Sequence, residues 1–180
     1  SVNIAKLRVL LKEVADIEIS KKTGYWKLHF LVDQLDTDLS ETLGILKNKN
    51  DVSQNQMESL LDILRNGPFL NNVTYEWLDS FKSDINDKVI DVLLTFSKSF
   101  NTKNDSDLIL KIMECVLTFD SINELAIIYK TRAYNYKGNH SLAKTTFEEF
   151  QRKYNSLYGA EFKYSFQEVL SKEFDVSLIS

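Results

Sequence analysis

The residue types that carry most enzymatic chemistry are thinly spread in this chain. It has two histidines, His29 and His140, and one cysteine, Cys115. A zinc site needs such ligands at close, defined spacing, and neither histidine stands at that spacing from the other or from Cys115. His140 follows Asn139 and reads as turn polarity, and His29 as a strand side chain near solvent. Cys115 lies in the apolar run Ile112–Leu117 with no second cysteine to join, which fits a buried packing residue in a reducing compartment. No Gly-rich phosphate loop, nucleophile elbow or His-Glu-x-x-His occurs. The carboxylates are numerous but scattered, as on solvated helix faces. The expectation is a protein that is not an enzyme and holds no cofactor or metal, so that its chemistry is recognition.

The charges are distributed unevenly. The net charge is −4, which on average does not suggest nucleic acid. Of 22 basic and 26 acidic side chains, six and three fall in residues 1–30, leaving 16 and 23 for the rest. The basic front carries Lys6, Arg8, Lys12, Lys21, Lys22 and Lys27, and a basic front on an acidic body suggests that the two parts meet different partners. From charge alone these cations read as solvated side chains of a short amphipathic helix. The aromatic residues Tyr129, Tyr134, Tyr136, Phe147, Phe150, Tyr154 and Tyr158 could stack on bases, but their helical spacing reads as interhelical packing.

The elements that must hold these residues are mostly helices. One Pro and five Gly in 180 residues argue against a many-turned β fold, and 43% hydrophobic residues suffice for a core. No apolar run is long enough to span a membrane, no signal peptide is visible, and the expected location is the cytoplasm. Val2 to Val14 reads as a helix, with Ile4, Leu7, Leu10, Leu11 and Val14 on one face. The period then drops to 2: Ile17 and Ile19 alternate with polar residues, Ser20 to Gly24 is a turn, and Tyr25, Trp26, Leu28 and Phe30 return as a strand.

Helix, hairpin and Gly-Tyr in this order resemble the second half of a winged-helix DNA-binding domain of the response-regulator output type. The residues that carry the likeness are Val2-Asn3-Ile4-Ala5-Lys6-Leu7-Arg8-Val9, then Ile17–Ser20, then Gly24-Tyr25. The resemblance reverses the reading from charge. It implies that Lys6 and Arg8, with Asn3, contact bases and phosphates from a recognition helix, and that Lys21 and Lys22 contact the backbone from the wing tip. A complete winged helix has two further helices, and usually a short sheet, N-terminal to this one. The chain is therefore expected to be a truncation of a longer regulator, and residues 1–30 are not expected to bind DNA specifically by themselves.

After the polar connector Gln34 to Asp38, Thr37 is a candidate N-cap for a helix to about Lys47 with Leu39, Leu43 and Leu46 inward. Ser53 and Gln56 offer a capping box for a helix to Leu64, stopped by Asn66-Gly67-Pro68. A long helix is expected from about Asn86 to Phe100. Beyond it the chain repeats itself. Leu93, Phe96, Ser97, Phe100, Ile109, Met113 and Val116 are followed 34 positions later by Ile127, Lys130, Thr131, Tyr134, Ala143, Phe147 and Phe150. Six of these seven pairs keep size or polarity class, and Phe96 to Lys130 does not. That period is the mark of a tetratricopeptide-type helix–turn–helix repeat. In it Ser97 and Thr131 let the second helix pack close, Phe100 and Tyr134 fill the space between helices, and Ala143 is a crossing point. The alternative is a bundle of ordinary amphipathic helix pairs. Tyr164 to Phe174 reads as a terminal capping helix, and Asp175 to Ser180 as a tail.

A second set of motifs resembles the bacterial transcriptional activation domain, a tetratricopeptide-like module that follows a winged helix. They are Gly67-Pro68-Phe69-Leu70, Trp77, Leu117 to Glu124, Gly138 with Ala143, Phe147 with Phe150, and Leu157-Tyr158-Gly159-Ala160-Glu161. Ser121 replaces the expected proline as a helix start. The resemblance implies a mainly α fold: residues 1–33 as the C-terminal half of a winged helix, and residues 34–175 as a tetratricopeptide-like right-handed α-superhelix of helix hairpins. It implies a fragment of a bacterial DNA-binding transcriptional regulator that meets DNA in the full-length protein and touches a sister subunit or the transcription machinery. Apolar surface left on the orphaned helix and hairpin leaves room for a homodimer through residues 1–30. The alternative is a free-standing tetratricopeptide-type adaptor that binds a peptide partner and never meets DNA.

Overall fold

A computed structural model describes residues 2–13, 15–30, 37–48, 51–72 and 74–171, without the side chains of Val2, Phe30 and Trp77. Expectations that involve Val14, Gln34, the Trp77 side chain, Phe174 and the tail lie outside the described residues. The chain is mainly helical with one small antiparallel sheet, and its contacts divide it into two units, Ser1–Glu41 and Thr42–Ser180.

In the first unit α1 (Val2–Leu11) leads into β1 (Ala15–Ile19) and β2 (Trp26–Phe30). The strands pair antiparallel with Ile17 opposite Leu28 and Glu18 opposite Lys27. Gly24, at φ 72°, turns the chain, a backbone region in which a Cβ is costly. Strand alternation sends Ala15 and Ile17 inward beneath α1, while Asp16 and Glu18 stay in solvent. The helix stripe is less well covered than its spacing suggests: Leu7 is 43% exposed and Leu10 is 78% exposed. One hairpin offers too little apolar surface to bury a helix face of this width.

α2 (Asp38–Lys47) begins where Thr37 Oγ1 accepts a hydrogen bond from the Ser40 N–H at 3.0 Å, the cap expected of Thr37. Its buried residues are Thr42 and Ile45, whereas Leu39, Leu43 and Leu46 are only half-buried. α3 (Gln54–Leu64) carries the Ser53–Gln56 capping box and buries Met57, Leu60 and Leu64. Gly67 ends it at φ 85°.

α4 (Glu76–Ser97) starts ten residues before the expected Asn86, with no side-chain cap at Tyr75. No Pro or Gly interrupts Glu76 to Asn86, so nothing opposes propagation of the helix toward its N-terminus. α5 (Ser106–Phe119), α6 (Glu124–Tyr136), α7 (His140–Tyr158) and the short α8 (Phe166–Leu170) follow. α6 is capped by Asn123, whose side chain accepts from the Ala126 N–H at 3.0 Å; Ser121 lies in the preceding turn and does not cap. Consecutive helices from α4 to α7 pack on one another, and α8 packs on α6. Lys137 pairs with Asp107 and Lys130 Nζ lies 3.5 Å from Glu114, so the end of α6 meets the start of α5 and the two run antiparallel. Tyr154 Oη donates to Glu124 at 3.1 Å, which sets α7 antiparallel to α6. α7 ends in Gly159 at φ 66°, the left-handed closure that relieves the last carbonyls.

The core between α6, α7 and α8 is aromatic. Phe147, Phe150, Phe162, Ile127, Ile128 and Val169 are buried together, with Tyr154 and Phe166 packed against them. α8 is held at its start by a second capping box, Ser165 with Glu168. The Ser165 hydroxyl donates to the Glu168 carboxylate at 2.6 Å and the Ser165 N–H at 2.7 Å, and together they hold that carboxyl below its ordinary range. A carboxylate with a lowered folded pKa stabilises the fold above the ordinary carboxylate pKa, and that contribution is lost as pH falls through the folded value. Carboxyl titration by NMR is expected to show the Glu168 midpoint rising toward normal in Ser165→Ala. An unchanged midpoint would mean that the box does not form.

Candidate functional site

Three places could recognise a partner, and the basic front is the first. Asn3 and Lys6 are exposed on α1, and Lys21 and Lys22 are exposed in the hairpin turn. Lys12, which stands off the apolar stripe of the expected helix, is exposed too, just past the end of α1. Arg8 is placed differently. Its Nε and Nη2 both donate to the carbonyl oxygen of Ile17, the former at 3.0 Å, and Nε lies 3.8 Å from Asp16 Oδ1. The guanidinium therefore ties α1 to β1, while about half of the Arg8 side chain stays in solvent. The contact could not be read from spacing, because nothing in the sequence says which carbonyl lies beneath the helix. On the polar face of the hairpin, His29 Nε2 lies 3.1 Å from Glu18 and Lys27 stands opposite Glu18 in register.

The second place is the run of helices α4 to α7, where the sequence pairs stand 34 residues apart. Ser97, Thr131, Ala143 and Phe147 are buried, as are Ile109, Met113, Leu93, Ile127, Val116 and Phe150; Phe96, Phe100, Lys130 and Tyr134 are half-buried. All seven pairs 34 residues apart thus share a burial class, the mismatched Phe96 and Lys130 included. The mismatch has a physical account. Phe96 packs its ring on Phe100, centroids 4.9 Å apart, and Lys130 lays its ammonium over Tyr134, 5.9 Å from the ring centroid. A ring–ring contact in one hairpin is a cation–ring contact in the next, and the lysine stem fills the apolar place while its tip reaches Glu114. The small Ser97 returns its hydroxyl to Leu94 O at 2.7 Å, whereas the Thr131 hydroxyl is buried with no partner among the described residues.

The third is a cleft of about 510 Å³ along the outer face of α7, lined by Glu148, Gln151, Arg152, Asn155, Glu161 and Phe162. Its two carboxylates and one guanidinium give it no dominant charge. Sequence reasoning had no signal for it beyond polar residues on an exposed helix face.

Among the described residues no three or more His, Cys, Asp or Glu gather to hold a metal, and no helix is long and apolar enough to cross a membrane. Cys115 is half-buried, with burial pushing its thiol up to about 11, which favours the protonated form at neutral pH. His140 opens α7, with Nδ1 2.7 Å from Asn135 Oδ1. No protein-family model, curated protein or solved structure matches this chain.

Proposed function

We propose that the chain is the C-terminal part of a bacterial DNA-binding transcriptional regulator. α1 and the hairpin are the recognition helix and wing of a winged-helix domain, and the helices after them form a tetratricopeptide-like right-handed superhelix that binds protein, in the cytoplasm. The observation that carries the reading is the shared burial of the seven residue pairs 34 apart. A 34-residue structural period is what stacked helix hairpins require, because one hairpin cannot bury its own apolar face. The exposed Lys6, Lys21 and Lys22 supply the cations that a groove and its flanking phosphates would meet. Arg8 stays a candidate groove contact and in addition ties the hairpin to the helix.

Duplex binding as a function of salt tests the DNA half of this reading. The chain is expected to bind random duplexes weakly, on the order of 10⁻⁴–10⁻⁶ M as non-specific binders do. Lys21→Gln with Lys22→Gln should lower the magnitude of the salt slope by about 0.9 per lysine. Tight, sequence-dependent binding would sink the half-domain reading, and a slope indifferent to both lysines would sink the wing reading. The other reading, a free-standing tetratricopeptide adaptor for a peptide, rests on the same burial match. It is favoured if duplex binding is absent even at low salt.

A further inference from the structure

The two edges of the hairpin are not alike. The Ser20 N–H donates to Tyr25 O at 2.9 Å, which fixes the parity of the ladder: residues 18 and 27, and 16 and 29, face each other through backbone bonds. The backbone groups of Ile17 therefore point out of the sheet on one side, and those of Trp26 and Leu28 point out on the other. The β1 edge is occupied at its centre, Ile17. Its N–H donates to Asp16 Oδ1 at 2.7 Å and its carbonyl accepts from Arg8. The Trp26 and Leu28 edge is open: among the described residues no hydrogen bond reaches those N–H and C=O groups, and no Pro interrupts β2. An uncovered edge of this kind is a template for another strand.

The geometry points to a second copy of this chain as the occupant, joined β2 to β2 in an antiparallel four-stranded sheet with a two-fold axis at Leu28. β2 has five residues with Leu28 at its centre, so the axis sets Leu28 against Leu28 and Trp26 against Phe30. These are the residues whose backbone groups face outward, so every new ladder bond has its partner and the register needs no shift. Trp26 and Leu28 stand on the face of Ala15 and Ile17, and the meeting of the two copies there extends the apolar surface that those residues begin. On the opposite face Lys27 meets the second copy's His29, which already lies 3.1 Å from Glu18 in its own hairpin. The incoming ammonium thus faces an acid–base pair and no bare like charge.

The same unit has the apolar surface to bury. Of the fourteen exposed large apolar side chains among the described residues, seven lie in its 41 positions, Ile19, Tyr25, Trp26 and Leu28 on the hairpin. A lone two-stranded sheet is marginal in water, and four strands are not. The inference stands on the hairpin alone and is independent of the repeat reading.

Sedimentation of the whole chain from micromolar to submillimolar concentration tests it. The expected result is a concentration-dependent doubling of mass. Leu28→Lys, a charge on an edge position already half exposed, should weaken the dimer by about tenfold or more with unchanged far-UV circular dichroism. Leu28→Cys in a Cys115→Ser background should form a disulfide-linked dimer, since directly paired residues of this type stand about 5.5 Å apart between Cα atoms, within disulfide range. Val9→Cys on α1 should not. A monomer at every concentration overturns the proposal, as does a dimer that survives Leu28→Lys but yields to Val9→Lys, or crosslinking at Val9 in place of Leu28.

Discussion

Replacing Phe147 by Ala is expected to lower the unfolding free energy by about 3–5 kcal/mol, the range for a buried Phe reduced to Ala. The side chain is fully buried, and its ring lies 6.0 Å from that of Phe162 and 5.8 Å from that of Phe166. Those two partners belong to the segment after α7, so Phe147 is the post against which the final loop and α8 rest. Phe150 touches the same Phe162 ring at 5.1 Å and cannot move into the gap without losing that contact. The loss should therefore appear in two ways: a lower urea midpoint for the helical unit, and selective loss of hydrogen-exchange protection at Val169 and Leu170. Phe147→Leu, which keeps most of the volume, should cost less than half as much. A loss under about 1 kcal/mol for Phe147→Ala, below the usual range for such a truncation, would mean that the aromatic cluster is not a packed core.

Periodicity was strongest as a guide where burial is strict. The positions spaced 34 apart are covered to the same degree in both hairpins, and the capping pair Ser53–Gln56 lies where its side-chain chemistry requires. Such signals are local, or recur because one packing solution is used twice. What could not be read depended on contacts distant in sequence. The start of α4 has no cap and no breaker, so neither chemistry nor composition marks Glu76. In α2 the helical stripe of leucines is real, yet Thr42 and Ile45 are the residues covered, because the direction of burial is set by the neighbours that a helix finds. Asn123 displaced Ser121 as the cap of α6 since both are good cap formers and only the turn decides which comes first. In the basic front the charge types were plain but their roles were not. Arg8 and Lys6 stand two positions apart and both are exposed, and the Arg8 guanidinium in addition bonds the hairpin backbone.

Exchanging the two residues at equivalent places in the repeat gives the second large effect. Ile109 in α5 and Ala143 in α7 are both fully buried and 34 positions apart, so under the proposed repeat each occupies the place in its hairpin that the other occupies in its own. The helices around them nevertheless stand at spacings set by a branched side chain in one case and a single methyl in the other. Ile109→Ala removes carbon where the neighbours Ile112 and Met113 are themselves fully covered, and should cost about 2–5 kcal/mol as a cavity. Ala143→Ile adds carbon where α6 and α7 pack, and should cost about 1–3 kcal/mol through displaced side chains. The chain carrying both changes keeps its total core volume but should gain nothing from that, because the excess and the deficit lie in different hairpins. Its loss should be close to the sum, about 3–8 kcal/mol, if the two places are independent, a large fraction of the stability that a domain of this size possesses. Thermal and urea unfolding of the three variants would measure this. A double variant more stable than either single one would mean that the two places share one cavity, and the chain would then be a single bundle in which the 34-residue period does not mark separate hairpins. A neutral Ala143→Ile would mean that α6 and α7 do not approach closely at that residue, and the small side chain would have no packing reason to be there.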